Sequence, residues 1–277
     1  MANGLRGTAI VQGVRHVFFP NTCAACNRQV ADHAAMCPAC WQKITWIAKP
    51  YCAITGAPFT HDYGDAAVSA DAIANPPPYD HARAVAIHTG AARQLVTRLK
   101  YNDQLALAPM MASWMVRAGN ELLSDADLIM PVPLHWRRQV GRRYNQSAEL
   151  ARLVARQAEL PFDAETIMRK RPTRPQVGLS ANSRTENVRG VFAVRPARDI
   201  EVHGRNIVLV DDVFTTGATV NSAAKALKRA KAARVDVLTF SRVVDGFVEP
   251  APPRPRNPFT ALKERLYRRS TKGDRDG

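Results

Sequence analysis

The sequence predicts an α/β protein that combines an open, mostly parallel sheet with a small N-terminal zinc-binding module. The first observation is a set of short apolar runs, such as residues 207–210, which alternate with stretches of helical periodicity. Such runs are typical of parallel strands that are buried on both faces. The second observation is a pair of C-x2-C motifs near the N-terminus. The third is the length of 277 residues, which suffices for one α/β domain and a smaller module.

The composition indicates a protein that meets anionic partners. The formal net charge is +15 and the pI is about 10.2. These values favour phosphorylated metabolites, nucleic acid or both as partners, although a merely basic protein would carry the same charge. No run of about 18 apolar residues is present, which predicts no membrane span. Residues 1–20 lack the pattern of a signal peptide, and five cysteines beside the nucleotide-type motifs described below point to the cytoplasm.

Four cysteines form the predicted metal site. Cys23, Cys26, Cys37 and Cys40 make two C-x2-C pairs separated by ten residues. Each pair can supply two thiolates from a tight turn to one tetrahedral Zn²⁺, which predicts a closed structural site. A disulfide pair is the alternative, and the reducing compartment disfavours it. His33 lies between the pairs and is expected at the surface, because four cysteines already complete the zinc shell.

Two tryptophans and a fifth cysteine follow the metal site, and the tryptophans have two interpretations. Trp41 and Trp46 can pack the module against the next segment, or they can remain exposed and stack on bases. Cys52 precedes Thr55 where a further C-x2-C motif would have its second cysteine, so Cys52 cannot hold a second zinc by itself. We expect it to be a buried structural cysteine.

The remaining chain alternates between predicted strands and helices. Residues 61–80 contain three consecutive prolines and are expected to form a linker or loop. Strands are predicted at 82–88, 127–131, 207–210 and 234–244, and helices at 93–100, 105–123, 146–158 and from about 220.

The motif that organises the sequence is residues 207–220. Asp211 and Asp212 follow the apolar strand, and a loop of small and hydroxyl-bearing residues then leads into a helix. Such a loop can bind phosphate through backbone N–H groups, hydroxyls and the helix dipole. The carboxylates suit sugar hydroxyls or Mg²⁺, so a ribose 5-phosphate satisfies both halves. A Rossmann-like turn whose acids cap a helix is the alternative. The predicted phosphate-binding residues are Thr215, Thr216, Gly217, Ala218 and Thr219.

Two other segments are expected to face this motif. Val132, Pro133 and Leu134 leave the carboxyl end of the strand at 127–131, and ligands of open α/β sheets bind at such ends. Lys100 can reach a ligand phosphate or complement the C-terminus of its own helix.

Residues 157–192 are polar and basic and suit a mobile flap. Residues 131–195 contain thirteen Lys or Arg and five Asp or Glu, an excess that would attract a polyanion.

Several motifs together resemble one family. They are the acid pair with T-T-G-A-T at 211–219, P-V-P-L at 131–134, R-x-x-N-Q at 142–146, Q-x-x-L-S at 176–180, R-x-x-N-V at 184–188, L-K-Y at 99–101, and the four-cysteine motif. The chain resembles the ComF family (competence protein F, amidophosphoribosyltransferase-like), whose fold is that of type I phosphoribosyltransferases. Two positions depart from the family pattern. Thr55 replaces a cysteine, and R-R-Y-N-Q at 142–146 stands where R-G-F-N-Q is usual.

The resemblance implies specific roles for these residues. Asp211 and Asp212 would hold the ribose hydroxyls of 5-phosphoribosyl 1-pyrophosphate (PRPP) and orient its Mg²⁺-bound pyrophosphate. Residues 215–219 would bind the 5-phosphate and residues 132–134 the pyrophosphate, while Arg184 and Asn187 would lie in a flexible hood. The implied reaction is displacement of pyrophosphate at ribose C1, a pentosyl transfer.

The sequence predicts a domain plan, and the resemblance implies competing functions. The plan is a zinc module at 1–60, a linker at 61–81, a phosphoribosyltransferase-like domain at 82–246, and a basic tail at 247–277 that is expected to be disordered or to form a weak helix around 262–267. One hypothesis is a phosphoribosyltransferase with an unidentified acceptor. A second is a non-catalytic component of DNA uptake in natural transformation, which binds single-stranded DNA and meets competence proteins. The third is a PRPP-sensing regulator.

Overall fold

A computed structural model describes residues 21–32, 35–101, 105–133, 145–170 and 190–247. The predicted tail, His33 and residues 142–144 of the R-R-Y-N-Q motif lie outside these residues. The chain divides into two units after Asp245, and the elements described below belong to the first. No helix among the described residues is long and apolar enough to cross a membrane.

The core element of the fold is a four-stranded sheet in which every strand pair is parallel. Its strands are buried on both faces, which explains why the sequence is continuously apolar at these positions. The strands are β1 (Ala82–Ile87), β2 (Leu128–Pro131), β5 (Asn206–Phe214) and β6 (Arg234–Arg242), with a separate antiparallel pair of β3 (Ile167–Arg169) and β4 (Phe192–Val194). The strand order β1-β6-β5-β2 places β5, which carries the acid pair, between two neighbours.

Helices cover both faces of this sheet. Val208 and Val210 of β5 share one buried core with α3, α4 and α6, whereas Ile207 and Leu209 share the opposite core with α7 and β4. The helices are α1 (Pro38–Trp41), α2 (Ala70–Ala74), α3 (Gly90–Tyr101), α4 (Ala108–Ala118), α5 (Asn120–Leu123), α6 (Gln146–Gln157) and α7 (Ala218–Arg229), and 3-10 turns span Leu105–Leu107 and Asp199–Glu201.

The structure differs from the sequence prediction in four places. β5 continues through Phe214, so the acid pair lies within the strand and not after it. The helix predicted at 105–123 is broken at Gly119, where an added Cβ would lie 2.7 Å from Leu238 Cδ1, so the glycine permits close approach to the sheet. The predicted linker contains α2, whose N-terminus is capped by Ser69. The strand pair β3–β4 was not predicted; β3 lies within the predicted flap and β4 begins at its last residue.

The N-terminal module packs directly on the sheet. Residues 45–47 run antiparallel to β1, with a bridge between Trp46 and Ala86. The Ile47 N–H donates to Val85 O at 3.0 Å, and the Ile87 N–H donates to Thr45 O at 2.8 Å. The edge of β1 is therefore covered by the module.

Candidate functional site

The two loops that the sequence expects to be neighbours lie side by side at the carboxyl edge of the sheet. β2 pairs with β5, and Pro131 is the register partner of Val210. The Val132 N–H donates to Val210 O at 2.9 Å, so Val132 and Pro133 leave the sheet next to the acid pair. Leu134, the third residue of the predicted pyrophosphate loop, lies outside the described residues.

Asp211 is held by the start of helix α6. Ser147 Oγ donates a hydrogen bond to Asp211 Oδ1 at 2.7 Å, and the backbone N–H of Asp212 donates to the same oxygen at 2.9 Å. Burial raises the pKa of Asp211 to about 7, and the neighbouring charge of Asp212 adds to this, although Ser147 and Lys100 oppose it. The Asp211 carboxyl is therefore held by two hydrogen-bond donors beside the charge of Asp212.

Asp212 is buried and paired with a lysine. Lys100 Nζ, from the last turn of α3, donates to Asp212 Oδ1 at 2.8 Å. Lys100 thus contacts the acid pair itself, a role that neither sequence interpretation of this residue included. The Lys100 side chain remains 26% exposed, which shows that the ion pair lies at the edge of the sheet and not in the core.

His88 is a site residue that the sequence analysis missed. It directly follows β1, and its Nδ1 lies 2.8 Å from Ser241 Oγ of β6. Burial lowers the pKa of His88 to about 4, with further lowering by Lys100 and Arg93 and an opposing effect of Asp212. Its position at the carboxyl end of the strand predicted at 82–88 is the signal that could have found it.

The predicted phosphate loop ends in a helix N-terminus. Thr215 and Thr216 are exposed, whereas Gly217 is buried with φ of 73° and occupies the N-cap position of α7. Because Gly217 has no side chain, no N-cap group covers the first N–H groups of the helix, and the first turn carries no acidic residue. Ala218 and Thr219 form that first turn. This end of α7 suits an anion.

The four cysteines of the N-terminal module converge on one point. Their sulfurs all lie within 4.8 Å of one another, and Cys26 Sγ is 3.7 Å from Cys37 Sγ. Sulfurs of a tetrahedral zinc site lie about 3.8 Å apart, so the set fits Zn²⁺. Burial raises the pKa of the Cys23 thiol, but N–H donors of Cys37 and Ala25 outweigh it and lower the pKa to about 6. The donor set is thus suited to a structural zinc.

Other predicted residues divide into two groups. Cys52 is fully buried, as expected. Arg184 and Asn187, assigned to the hood, lie outside the described residues. The strands β3 and β4 flank the segment that contains them.

Comparison with known proteins identifies two family models. Residues 14–73 match the model described as a double zinc ribbon domain, and residues 145–247 match the phosphoribosyl transferase domain. The predicted fold class, a phosphoribosyltransferase-type sheet with a zinc-binding module, is thereby confirmed.

The chain is also similar to individual proteins, in two cases over most of its length. The chain is 30% identical to the DNA utilization protein YhgH of Escherichia coli over 231 residues, which cover 81% of this chain and 98% of the relative. It is 27% identical to competence protein F of Haemophilus influenzae with the same coverage of both chains. Competence protein ComFC of Bacillus subtilis is 25% identical over 58% of this chain and 63% of the relative. The chain therefore belongs to the ComF (competence protein F) family, as a competence-related protein with a phosphoribosyltransferase-type domain.

Proposed function

We propose that the carboxyl edge of the sheet binds the ribose 5-phosphate part of PRPP with Mg²⁺, and that the protein is a phosphoribosyltransferase. The observation that carries the proposal is the continuous path from the acid pair through the phosphate loop to the start of α7. Carboxylates accept hydrogen bonds from ribose hydroxyls, and the loop with the helix N-terminus suits the phosphate. One short segment thus supplies both kinds of contact.

The neighbouring residues support a transfer reaction at ribose C1. Val132 and Pro133 lie beside the acid pair, where the pyrophosphate of PRPP would extend, and Lys100 supplies a cation at that edge. Mg²⁺, when bound, neutralises charge on the leaving pyrophosphate. Ser147 holds one carboxylate oxygen of Asp211, and Lys100 can exchange its contact with Asp212 for one with a ligand oxygen. Removing one such stabilising group typically costs on the order of a hundredfold in rate.

Calorimetry with PRPP and Mg²⁺ tests this assignment. We expect the Asp211→Asn/Asp212→Asn double variant to lose PRPP binding while its circular dichroism stays that of the wild type. Asp199→Asn is the matched control, because Asp199 is an exposed aspartate in a 3-10 turn away from the sheet edge. Unaltered binding by the double variant would refute the site. A PRPP-consumption assay with candidate bases and amines then tests for transfer and identifies the acceptor.

A second candidate function, binding of single-stranded DNA, is favoured by one specific observation. Trp41 and Trp46 of the N-terminal module form a cluster with Trp114 of α4, with ring centroids 4.8 to 5.5 Å apart. Despite this packing, Trp41 is 46% exposed and Trp46 37% exposed. Exposed aromatic rings on a basic protein suit base stacking together with neutralisation of the phosphate backbone.

Titration with a labelled single-stranded oligonucleotide separates the two functions. If the tryptophan cluster binds DNA, Trp41→Ala/Trp46→Ala should weaken the complex roughly tenfold or more, and affinity should fall steeply with salt. The Asp211→Asn/Asp212→Asn variant should bind the oligonucleotide like the wild type. Salt-insensitive or absent binding by the wild type would rule out the DNA function and leave the PRPP proposal intact.

A further inference from the structure

The last residue of β6, Arg242, is an unusual buried cation. It is only 8% exposed, and burial lowers the pKa of Arg242. Its Nη1 donates a hydrogen bond to the backbone oxygen of Thr55, and its guanidinium carbon lies 4.9 Å from the centroid of the Phe214 ring. Its Nε has no hydrogen-bond partner among the described residues. Burial of a cation costs free energy unless hydrogen bonds and ring contacts compensate for it. The contacts with the Thr55 oxygen and the Phe214 ring therefore hold the Arg242 side chain in place.

The Phe214 ring connects this arginine to the phosphate loop. Phe214 ends β5, three residues before Gly217. A Cβ added to Gly217 would lie 2.8 Å from Phe214 Cζ and 3.2 Å from Cε1, so the ring packs against the backbone of the loop. Tyr79 meets the ring edge-on, with centroids 6.2 Å apart. Arg242 and Tyr79 thus determine where the ring lies, and the ring limits where the loop can lie.

The other contact of Arg242 is a fixed turn of the N-terminal module. Cys52 Sγ accepts hydrogen bonds from the N–H groups of Thr55 at 3.4 Å and Ser69 at 3.3 Å. The Ala82 N–H donates to Ile54 O at 2.7 Å, which ties the same turn to the start of β1. The Thr55 carbonyl is therefore presented from a rigid turn, defined here as residues 52–55.

A second arginine docks on the same turn without touching the loop. Arg83 of β1 is also 8% exposed, and its Nη1 donates to Ala53 O at 2.9 Å. It also donates to the backbone oxygen of Ala82 at 2.8 Å and contacts the Tyr51 ring and Glu121. Arg83 and Arg242 thus share burial and docking site, and Arg242 alone of the two contacts Phe214. Arg83 is accordingly a matched control.

We propose that Arg242 is a positioning residue that couples the turn 52–55 of the N-terminal module to the phosphate loop 215–219. The coupling passes from the Thr55 carbonyl through the guanidinium and the Phe214 ring to Gly217. The N-terminal module then helps to hold the loop in its anion-binding shape. The importance of this shape for a ligand rests on the proposed function, whereas the coupling itself does not.

Amide hydrogen exchange in the full-length protein tests the coupling without any ligand. Arg242→Met should raise exchange in the segment 214–221 by about tenfold, because a loop that loses its support opens more often. Arg83→Met removes a contact with the turn but leaves the contact between Arg242 and Phe214, so it should raise exchange in that segment by much less than Arg242→Met. Arg242→Lys provides a second variant should the methionine variant fail to fold, since lysine keeps the charge but lacks the planar fork. Equal exchange in the arginine-83 and arginine-242 variants would overturn the proposal.

The Cys52→Ala substitution tests the path from the module. Loss of the sulfur acceptor loosens the turn, so exchange in the segment 214–221 should rise in the wild-type background. It should not rise further in the Arg242→Lys background, because the connecting side chain is already compromised. A full additional rise in that background would mean that the turn acts on the loop by another route, and the proposal would be wrong.

Binding of ribose 5-phosphate adds a functional readout. Affinity should fall by about tenfold in Arg242→Lys, in step with the rise in loop opening, and should fall much less in Arg83→Met. If the wild type does not bind ribose 5-phosphate or PRPP, the proposed function fails, and the exchange comparison alone still decides the coupling. If the wild type binds but Arg242→Lys binds equally well with a loosened loop, the coupling has no role in ligand binding.

Discussion

Lys100 of α3 and Asp212 of β5 form an ion pair at 2.8 Å across the carboxyl edge of the sheet. The pair joins the L-K-Y motif to the acid-pair motif, although 112 residues separate the two positions in the chain. Because Asp212 is buried, the lysine is the cation that makes its negative charge tolerable. This contact gives the first prediction.

Lys100→Met should destabilise the protein by about 2 kcal/mol, because it leaves the Asp212 carboxylate buried without its cation. The double variant Lys100→Met/Asp212→Asn should recover most of this loss, since it removes the unpaired charge. Chemical denaturation of the wild type and the three variants completes a double-mutant cycle. Additive single effects would show that the ion pair contributes no coupling energy.

Gly217→Ala should both destabilise the protein and weaken binding of ribose 5-phosphate. The left-handed backbone at φ of 73° costs about 1–2 kcal/mol for a residue with a Cβ, and that Cβ would press on the Phe214 ring. Gly204→Ala is the matched control, because Gly204 has the same φ of 73° and no atom within 4 Å of an added Cβ. Thermal unfolding and calorimetry should show the larger effect at Gly217, and equal effects would exclude a role for the contact with Phe214.

His88 should make stability depend on pH in the acid range. The folded pKa of His88 is about 4, below its ordinary 6.5, so the unfolded chain binds more protons between these values. The free energy of unfolding should therefore fall as pH falls from about 6.5 to 4, by at most about 3 kcal/mol from this residue, because solvent screening reduces the full effect for a partly exposed group.

The His88→Gln variant isolates this effect, because glutamine cannot be protonated but can still hydrogen-bond to Ser241. The groups that face the imidazole, namely Lys100, Arg93 and Asp212, are the same in both proteins. Denaturation curves collected at several pH values should give a wild-type free energy of unfolding that falls relative to that of the variant as pH falls from about 6.5 to 4. A flat difference would mean that His88 is not the titrating group.

Zinc removal should release one metal ion per chain and loosen the N-terminal module. Four of the five cysteines form the cluster, and Cys52 Sγ instead accepts hydrogen bonds from Thr55 and Ser69. Metal analysis of Cys40→Ser should show loss of zinc, whereas Cys52→Ala should retain it. Two zinc ions per chain in the wild type would contradict the assignment of Cys52.

Local patterns in the sequence predicted the parallel sheet well. Runs such as 207–210 are apolar because both faces of β5 are buried, and this burial is visible without knowledge of the neighbours. Element ends were less predictable. β5 extends to Phe214 because pairing with β6 continues past the acids, and backbone pairing leaves no mark on residue type.

The residue order alone predicts the chemistry that the chain can offer: four thiols at zinc spacing, two adjacent carboxylates, and a small-residue loop before a helix. These motifs can be recognised because the members of each lie within about twenty residues of one another. The side chains that support these motifs are known only from the fold. Ser147 reaches Asp211 across 64 residues and Arg242 reaches Thr55 across 187, because strand order and helix packing bring distant segments to one edge of the sheet.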